Sequence, residues 1–208
     1  MPTSLLKWKE PDTVKIGGRK YKTVVIGNQR WLAENLDYKI PNCNFNPSTW
    51  NSTDRNYCYY SNNPTEYKPG YGLLYNWYAV SYLNDNRSTL LPTGWHVPSL
   101  AEFNTLFSAV GGNSNAGKVL KSKTGWYSGG NGTDNYGFTA LPASGRYADG
   151  AQWVLSDAYS LFWTITKQDG YIPPLAYRVQ LSWSSNSSSD SGYDYRWGLS
   201  LRLVKTVA

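Results

Sequence analysis

The sequence predicts an α+β domain, and three observations carry that expectation. A capped amphipathic helix is written into residues 99–110, and short alternating strands open and close the chain. From residue 123 onward, short apolar runs lie between Gly, Asn, Asp and Ser clusters. Strands first, helices in the middle and strands last is a segregated order, as in α+β domains.

In chain order, residues 1–13 read as an N-terminal arm and 14–208 as a single domain. Residues 14–16 and 21–26 alternate as two strands, joined by a turn at Gly17-Gly18-Arg19-Lys20. Residues 31–36 read as one helical turn, and 40–70, rich in Asn, Pro, Ser, Thr and Tyr, as a long surface loop. Residues 75–83 are apolar enough for a buried helix. Ser99 and Glu102 then stand three apart after Pro98, the spacing of a capping box. Leu100, Phe103, Leu106, Phe107 and Val110 share one face of that helix, and Gly111-Gly112 stops it. A shorter helix is expected over 115–122. The Ser-rich stretch 182–192 reads as a mobile loop, and 199–204 as an alternating terminal strand.

Composition narrows the function. Ten Trp, 18 Tyr and 5 Phe exclude a charge-driven disordered chain. The net charge is +6, but residues 1–39 hold eight Lys/Arg against four Asp/Glu, while 157–208 hold five against four. The aromatic half therefore offers no concentrated basic face for nucleic acid. No run approaches the ~18 apolar residues of a membrane span. The first residues lack the basic and apolar segments of an export signal. Cys43 and Cys58 are the only cysteines. They could close a disulfide worth on the order of 3 kcal/mol in an oxidising compartment, but they make no zinc site.

Catalytic signals are sparse. His96, the only histidine, stands in Gly94-Trp95-His96-Val97-Pro98 without a Gly-x-Ser-x-Gly motif, so it reads as structural. No Walker loop, EF-hand loop or His-Glu-x-x-His occurs. Two carboxylates for glycosidic cleavage could come from anywhere in the chain, and an enzyme stays open as an alternative. So does a structural surface domain. The favoured reading is binding without catalysis, cofactor or metal.

The binding reading rests on residues 157–197, where Tyr and Trp are interleaved with Ser, Asn, Asp and Gly. That mixture gives large, rigid contact area beside adaptable hydrogen bonding, as in antibody paratopes. Period-two spacing in Tyr193-Asp194-Tyr195-Arg196-Trp197 places one set on one side of a strand. The candidate ligand-binding residues are Tyr159, Leu161, Trp163, Lys167, Tyr171, Tyr177, Gln180, Ser182, Trp183, Ser185, Tyr193, Tyr195 and Trp197. Tyr159, Tyr171, Tyr177, Tyr193 and Tyr195 are expected to be partly exposed and close together, and Trp163 at least partly buried.

Several motifs resemble the Fibrobacter succinogenes major paralogous domain. They include Tyr21-Lys22-Thr23-Val24, Ile26-Gly27-Asn28-Gln29 and Trp31-Leu32-Ala33-Glu34-Asn35-Leu36. Leu74-Tyr75-Asn76-Trp77-Tyr78-Ala79, Gly94-Trp95-His96-Val97-Pro98-Ser99 and Gly132-Thr133-Asp134-Asn135-Tyr136-Gly137-Phe138 continue the match, which closes on Leu199-Ser200-Leu201-Arg202-Leu203-Val204-Lys205. The resemblance implies a C-type lectin-like fold with strands 14–16 and 21–26 beside the terminal strand. It is also similar to the variable proteins of diversity-generating retroelements, whose variable region would lie at 157–197. It implies a protein or glycan ligand on a cell surface, and a place on a phage particle or bacterial surface. Relatives often carry Cys where this chain has Leu91 and Leu203, so folding without an oxidant is expected. The Glu-Pro-Asn, Gln-Pro-Asp and Trp-Asn-Asp motifs of calcium-dependent lectins are missing, so binding is expected to be calcium-independent. Two cysteines at 43 and 58 do not reproduce the Cys or copper site of formylglycine-generating enzymes, which share the implied fold.

Overall fold

Gly17 and Gly18 have φ of 54° and 88°, the backbone needed for a two-residue turn between twisted antiparallel strands. In this computed structural model, which describes residues 13–47, 50, 52–60, 68–150 and 157–207, they join β1 (Thr13–Ile16) to β2 (Arg19–Ile26). β3 (Gln29–Leu32) pairs antiparallel with β2 on one side and with β10 (Val204–Thr206) on the other. The first sheet thus runs β1-β2-β3-β10. The terminal strand β10 shares a sheet with β1 and β2, as expected, but with β3 interposed.

A second sheet joins β4 (Asn44–Phe45), β5 (Asn56–Tyr59) and β6 (Leu73–Tyr75). Four short helices follow: α1 (Trp77–Asp85), α2 (Arg87–Leu90), α3 (Leu100–Ala109) and α4 (Asn113–Leu120). Ser99 and Glu102 form both arms of the capping box ahead of α3. A third, antiparallel sheet runs β7 (Tyr159–Gln168), β8 (Leu175–Ser182) and β9 (Ser188–Asp194).

The described residues are β-rich: ten strands in three sheets, against four helices of 4 to 10 residues. The expected α+β, C-type lectin-like fold does not hold. Segments read as helix or loop are strands because tertiary pairing overrides local pattern. Residues 29–32, partly read as a helical turn, are buried in the first sheet between β2 and β10. The 40–70 segment carries β4 and β5. The last five residues of the Ser-rich stretch, 188–192, belong to β9, laddered onto β8 from Ser188 to Asp194. Conversely, 199–203 forms no named strand; single bridges tie Leu199 to Tyr75 and Ser200 to Phe162. Thr13 begins β1, and the rest of the expected N-terminal arm lies outside the described residues.

Two apolar cores meet at β7. Leu161 and Trp163 enter one, with Tyr75, Trp77, Leu199 and Leu201. Phe162, one step out of phase, enters the other, with Trp31, Phe103 and Phe138. Side chains alternate across a strand, so a strand buried on both faces reads as a nearly continuous apolar run. Cys43 and Cys58 are free thiols, and burial pushes both up to about 11.

Candidate ligand-binding surface

The register of the third sheet decides which side chains stand together. Leu161 lies opposite Gln180, which lies opposite Ser189; Trp163 lies opposite Arg178, which lies opposite Ser191; and Ala176 lies opposite Tyr193. Cross-strand partners share a face, so Gln180, Arg178, Ser191 and Tyr193 belong to the face whose β7 portion, Leu161 and Trp163, is core. Tyr159 lies on the same face, half-buried. Towards β9 this face opens to solvent.

A turn then builds an aromatic platform on it. Asp194 accepts from the Arg196 backbone N–H at 2.9 Å and from its Nε at 3.0 Å, while the Trp197 N–H donates to the Asp194 carbonyl at 2.9 Å. The reversal lays the Trp197 ring 4.5 Å from that of Tyr193. Tyr147 joins from outside the tract, 4.8 Å from Trp197. Its loop is anchored by paired backbone bonds between Arg146 and Gly198, at 2.8 and 2.9 Å. Trp50 Nε1 donates to the Arg196 carbonyl at 2.6 Å, fixing the turn from behind. All three platform rings are half-buried.

Arg178 sits beneath this platform, only 7 % exposed, with its guanidinium 4.8 Å from the Tyr193 ring centre. Burial lowers its pKa, against the opposing pull of Tyr193 and Asp190. Among the described residues its Nε has no hydrogen-bond partner.

The other candidate residues scatter. Leu161 and Trp163 are core, not contact surface; Trp163 is 0 % exposed and its Nε1 donates to the Tyr75 carbonyl at 2.8 Å. Tyr195 is also buried, stacked on Trp77 at 4.1 Å with Tyr78 edge-on at 5.6 Å. Tyr177 lies opposite Gly192, one step out of phase with Tyr193, and so faces the other side of the sheet. Lys167, opposite Ala176 and so on the face of Tyr193, is exposed with its Nζ 5.6 Å from the Trp77 ring, and Tyr171 is exposed on the β7–β8 connection. Ser182, opposite Tyr159, ends β8 on that same face but lies far along it, grouped with Trp183 and Ser185. There Lys121 Nζ donates to the Ser182 and Ser185 carbonyls and Tyr127 meets Trp183 edge-on at 5.2 Å.

Of the candidates, the register therefore places Tyr159, Lys167, Gln180, Ser182 and Tyr193 on one face, and the turn returns Trp197 to Tyr193 there. The structure adds Tyr147 and Arg178, which the sequence reading missed. Arg178 was findable, since it alternates with Ala176 and Gln180 along β8; nothing local marks Tyr147. Among the described residues no three His, Cys, Asp or Glu side chains cluster as metal ligands, and no helix is long and apolar enough to cross a membrane. His96 contacts Glu102 and the Gly94 carbonyl.

A family model described as the Fibrobacter succinogenes major domain matches residues 24–205. Searches of the curated proteins and of the solved structures find no match.

Proposed function

The chain belongs to the Fibrobacter succinogenes major domain family, and from that premise we propose that it is a ligand-recognition domain. Its site is the face of the third sheet carrying Tyr147, Tyr193 and Trp197, and its ligand is a protein or glycan displayed on a cell surface. The observation that carries this reading is the run of three half-buried rings, spaced 4.5 and 4.8 Å apart and held by backbone pairing rather than by a loose loop. Rigid aromatic anchors lose little entropy on binding, and such residues dominate interface energetics. Gln180, Ser189 and Ser191 supply the adaptable hydrogen-bonding rim. No catalytic role is proposed for this face.

The finer proposal is that this is the variable protein of a diversity-generating retroelement, displayed on a phage particle or bacterial surface. Neighbouring DNA tests it. A reverse transcriptase beside an imperfect repeat of the sequence encoding 157–197 supports it, and an ordinary gene neighbourhood without either overturns it.

Binding itself is tested on a glycan array and on immobilised bacterial surface fractions, using the wild type beside Tyr193→Ala and Trp197→Ala. The reading expects signal from the wild type and a loss of about 2 kcal/mol or more in each variant, with folding retained. Equal signal from all three proteins, or none from any, overturns it.

A further inference from the structure

Away from the aromatic face, two adjoining cavities of about 390 and 300 Å³ share Arg87 and His96 in their walls. That is the size range of small-molecule sites. Ser88 and Thr93 add hydroxyls to the larger cavity, and Leu91 and Pro92 add apolar wall. Ile165 of β7 and Glu102 of α3 line the smaller one.

The hydrogen bonds of His96 define its form. Nδ1 lies 3.1 Å from the Gly94 carbonyl oxygen and Nε2 lies 2.6 Å from Glu102 Oε1. Both neighbours are acceptors, so only the doubly protonated imidazolium satisfies both. Glu102 is itself held in place by the Ser99 N–H and hydroxyl at 2.8 and 2.9 Å. When protonated, the ring is thus a positioned cation with no N–H to spare for a ligand. Arg87, exposed on α2, donates to the Asn84 carbonyl at 2.9 Å. It forms no ion pair with a carboxylate among the described residues. The charged groups acting on the ring are Glu102 and Arg87, and the Lys205 stem from β10 packs against Gly94 behind it. Two cations therefore share one cavity, and only one of them has an internal counterion.

We propose that this cavity binds the anionic group, carboxylate or phosphate, of a small ligand, with Arg87 and the Ser88 and Thr93 hydroxyls as donors and His96 as a fixed positive charge. The site does not depend on the aromatic platform. Its affinity falls as pH rises and the imidazolium loses its proton. By reciprocity, the bound anion raises the pH at which His96 titrates.

His96 is the only histidine in the chain, so its ring C–H resonances report the site without assignment ambiguity. The full chain is titrated with acetate, and separately with sulfate as a stand-in for phosphate that does not itself titrate, at constant ionic strength with chloride as control. The proposal expects a saturable shift of the His96 signals and an upward displacement of the His96 titration. It also expects binding about threefold or more weaker well above that titration than below it. Saturation by acetate alone assigns a carboxylate ligand, by sulfate alone a phosphate, and by both the shared anionic chemistry. Arg87→Ala, a substitution at an exposed position, removes the saturable response while leaving the His96 signals dispersed as in the wild type. A response no larger than that of chloride, or one unchanged in Arg87→Ala, overturns the proposal.

Discussion

Arg202 Nε donates to Asn35 Oδ1 at 2.8 Å, joining residues 167 apart in sequence inside a fully buried pocket. Nη1 reaches the Leu32 and Phe138 carbonyls at 2.7 and 2.8 Å, and Nη2 the Thr139 carbonyl at 2.9 Å. Phe138 and Phe162 flank the guanidinium at 4.6 and 5.5 Å. Burial lowers its pKa to about 9, with Glu34 and Asp134 acting in the opposite sense. Neutral carbonyls and an amide, rather than a bonded carboxylate, solvate this cation.

Arg202→Met keeps most of the volume but leaves those acceptors without donors. The expected loss is about 1–3 kcal/mol or more of stability, the scale of buried neutral acceptors left unsatisfied. Asn35→Ala costs less alone, and the double variant loses less than the sum, because both residues serve one network. Urea denaturation of the four proteins measures this. Additive losses would mean that the two residues act independently.

Arg202 also marks where the sequence stops being informative. Alternation in 199–204 correctly sends Leu199, Leu201 and Leu203 into one core, yet the same alternation reads Arg202 as an outward-facing charge. Its partners at 32–35 and 138–139 are invisible from its neighbours. Local features were legible: the Ser99–Glu102 box, the Gly17-Gly18 turn and the buried face of α1 depend on residues within a few positions. Strands whose burial comes from distant partners were not, which is why β3 and β9 were misread. The site divides in the same way. Tyr193 and Trp197 do stand together, as period-two spacing expects, but that reasoning extended past the end of β9 at Asp194. The turn there breaks the period, sending Tyr195 inward onto Trp77 and returning Trp197 to Tyr193.

That break predicts opposite phenotypes for two neighbouring tyrosines. Tyr195→Ala empties a core site and should cost roughly 3–5 kcal/mol. Tyr193→Ala removes a half-buried ring from a pair and should cost about 0.5–1.5 kcal/mol. Thermal melts of the two variants decide the matter. Equal losses would contradict the burial difference between them.

The His96–Glu102 pair predicts a pH signature. The Glu102 hydrogen bond raises the His96 pKa above 6.5, outweighing burial, which lowers it. For Glu102, burial raises the pKa, but the bonds from His96 and Ser99 outweigh it and bring it below 4.5. A raised histidine stabilises fully below its unfolded pKa, and that gain is lost as pH rises through the folded value. The lowered carboxylate stabilises above its unfolded pKa, and that gain is lost as pH falls through its folded value. Stability from the pair is therefore greatest between about 4.5 and 6.5. Glu102→Gln keeps a side chain that can complete the capping box while removing the charge. Its melting temperature should lack the wild type's decline as pH rises from 6.5. An identical pH profile in both proteins would show that the pair contributes nothing.

Lys121 predicts how the far end of the third sheet is held. Its side chain is 2 % exposed, its Nζ donates to the Ser182 and Ser185 carbonyls at 2.9 and 3.1 Å, and it lies 5.0 Å from the Trp126 ring. Burial lowers its pKa; those two carbonyls and the ring face are what meet its amino group. Beside it the Lys118 N–H donates to the Asn186 carbonyl at 3.1 Å, and a Cβ on Gly117 would stand 2.8 Å from that same oxygen. α4 and the β8–β9 turn are thus docked backbone to backbone, with Lys121 as the side-chain clamp. Lys121→Met preserves length and apolar contact but removes the ammonium donor from both carbonyls, leaving the Ser182 carbonyl with the Ser185 N–H at 3.4 Å. The expected cost is about 1–3 kcal/mol. Hydrogen exchange separates this from a general loss of stability. Protection should fall first at Ser185 and Ser187, whose N–H groups bond within the turn at 3.4 and 3.0 Å, while β7 amides such as Trp163 and Ile165 keep their protection relative to the new global stability. Uniform loss across the chain would mean that Lys121 stabilises the core as a whole and does not clamp the turn.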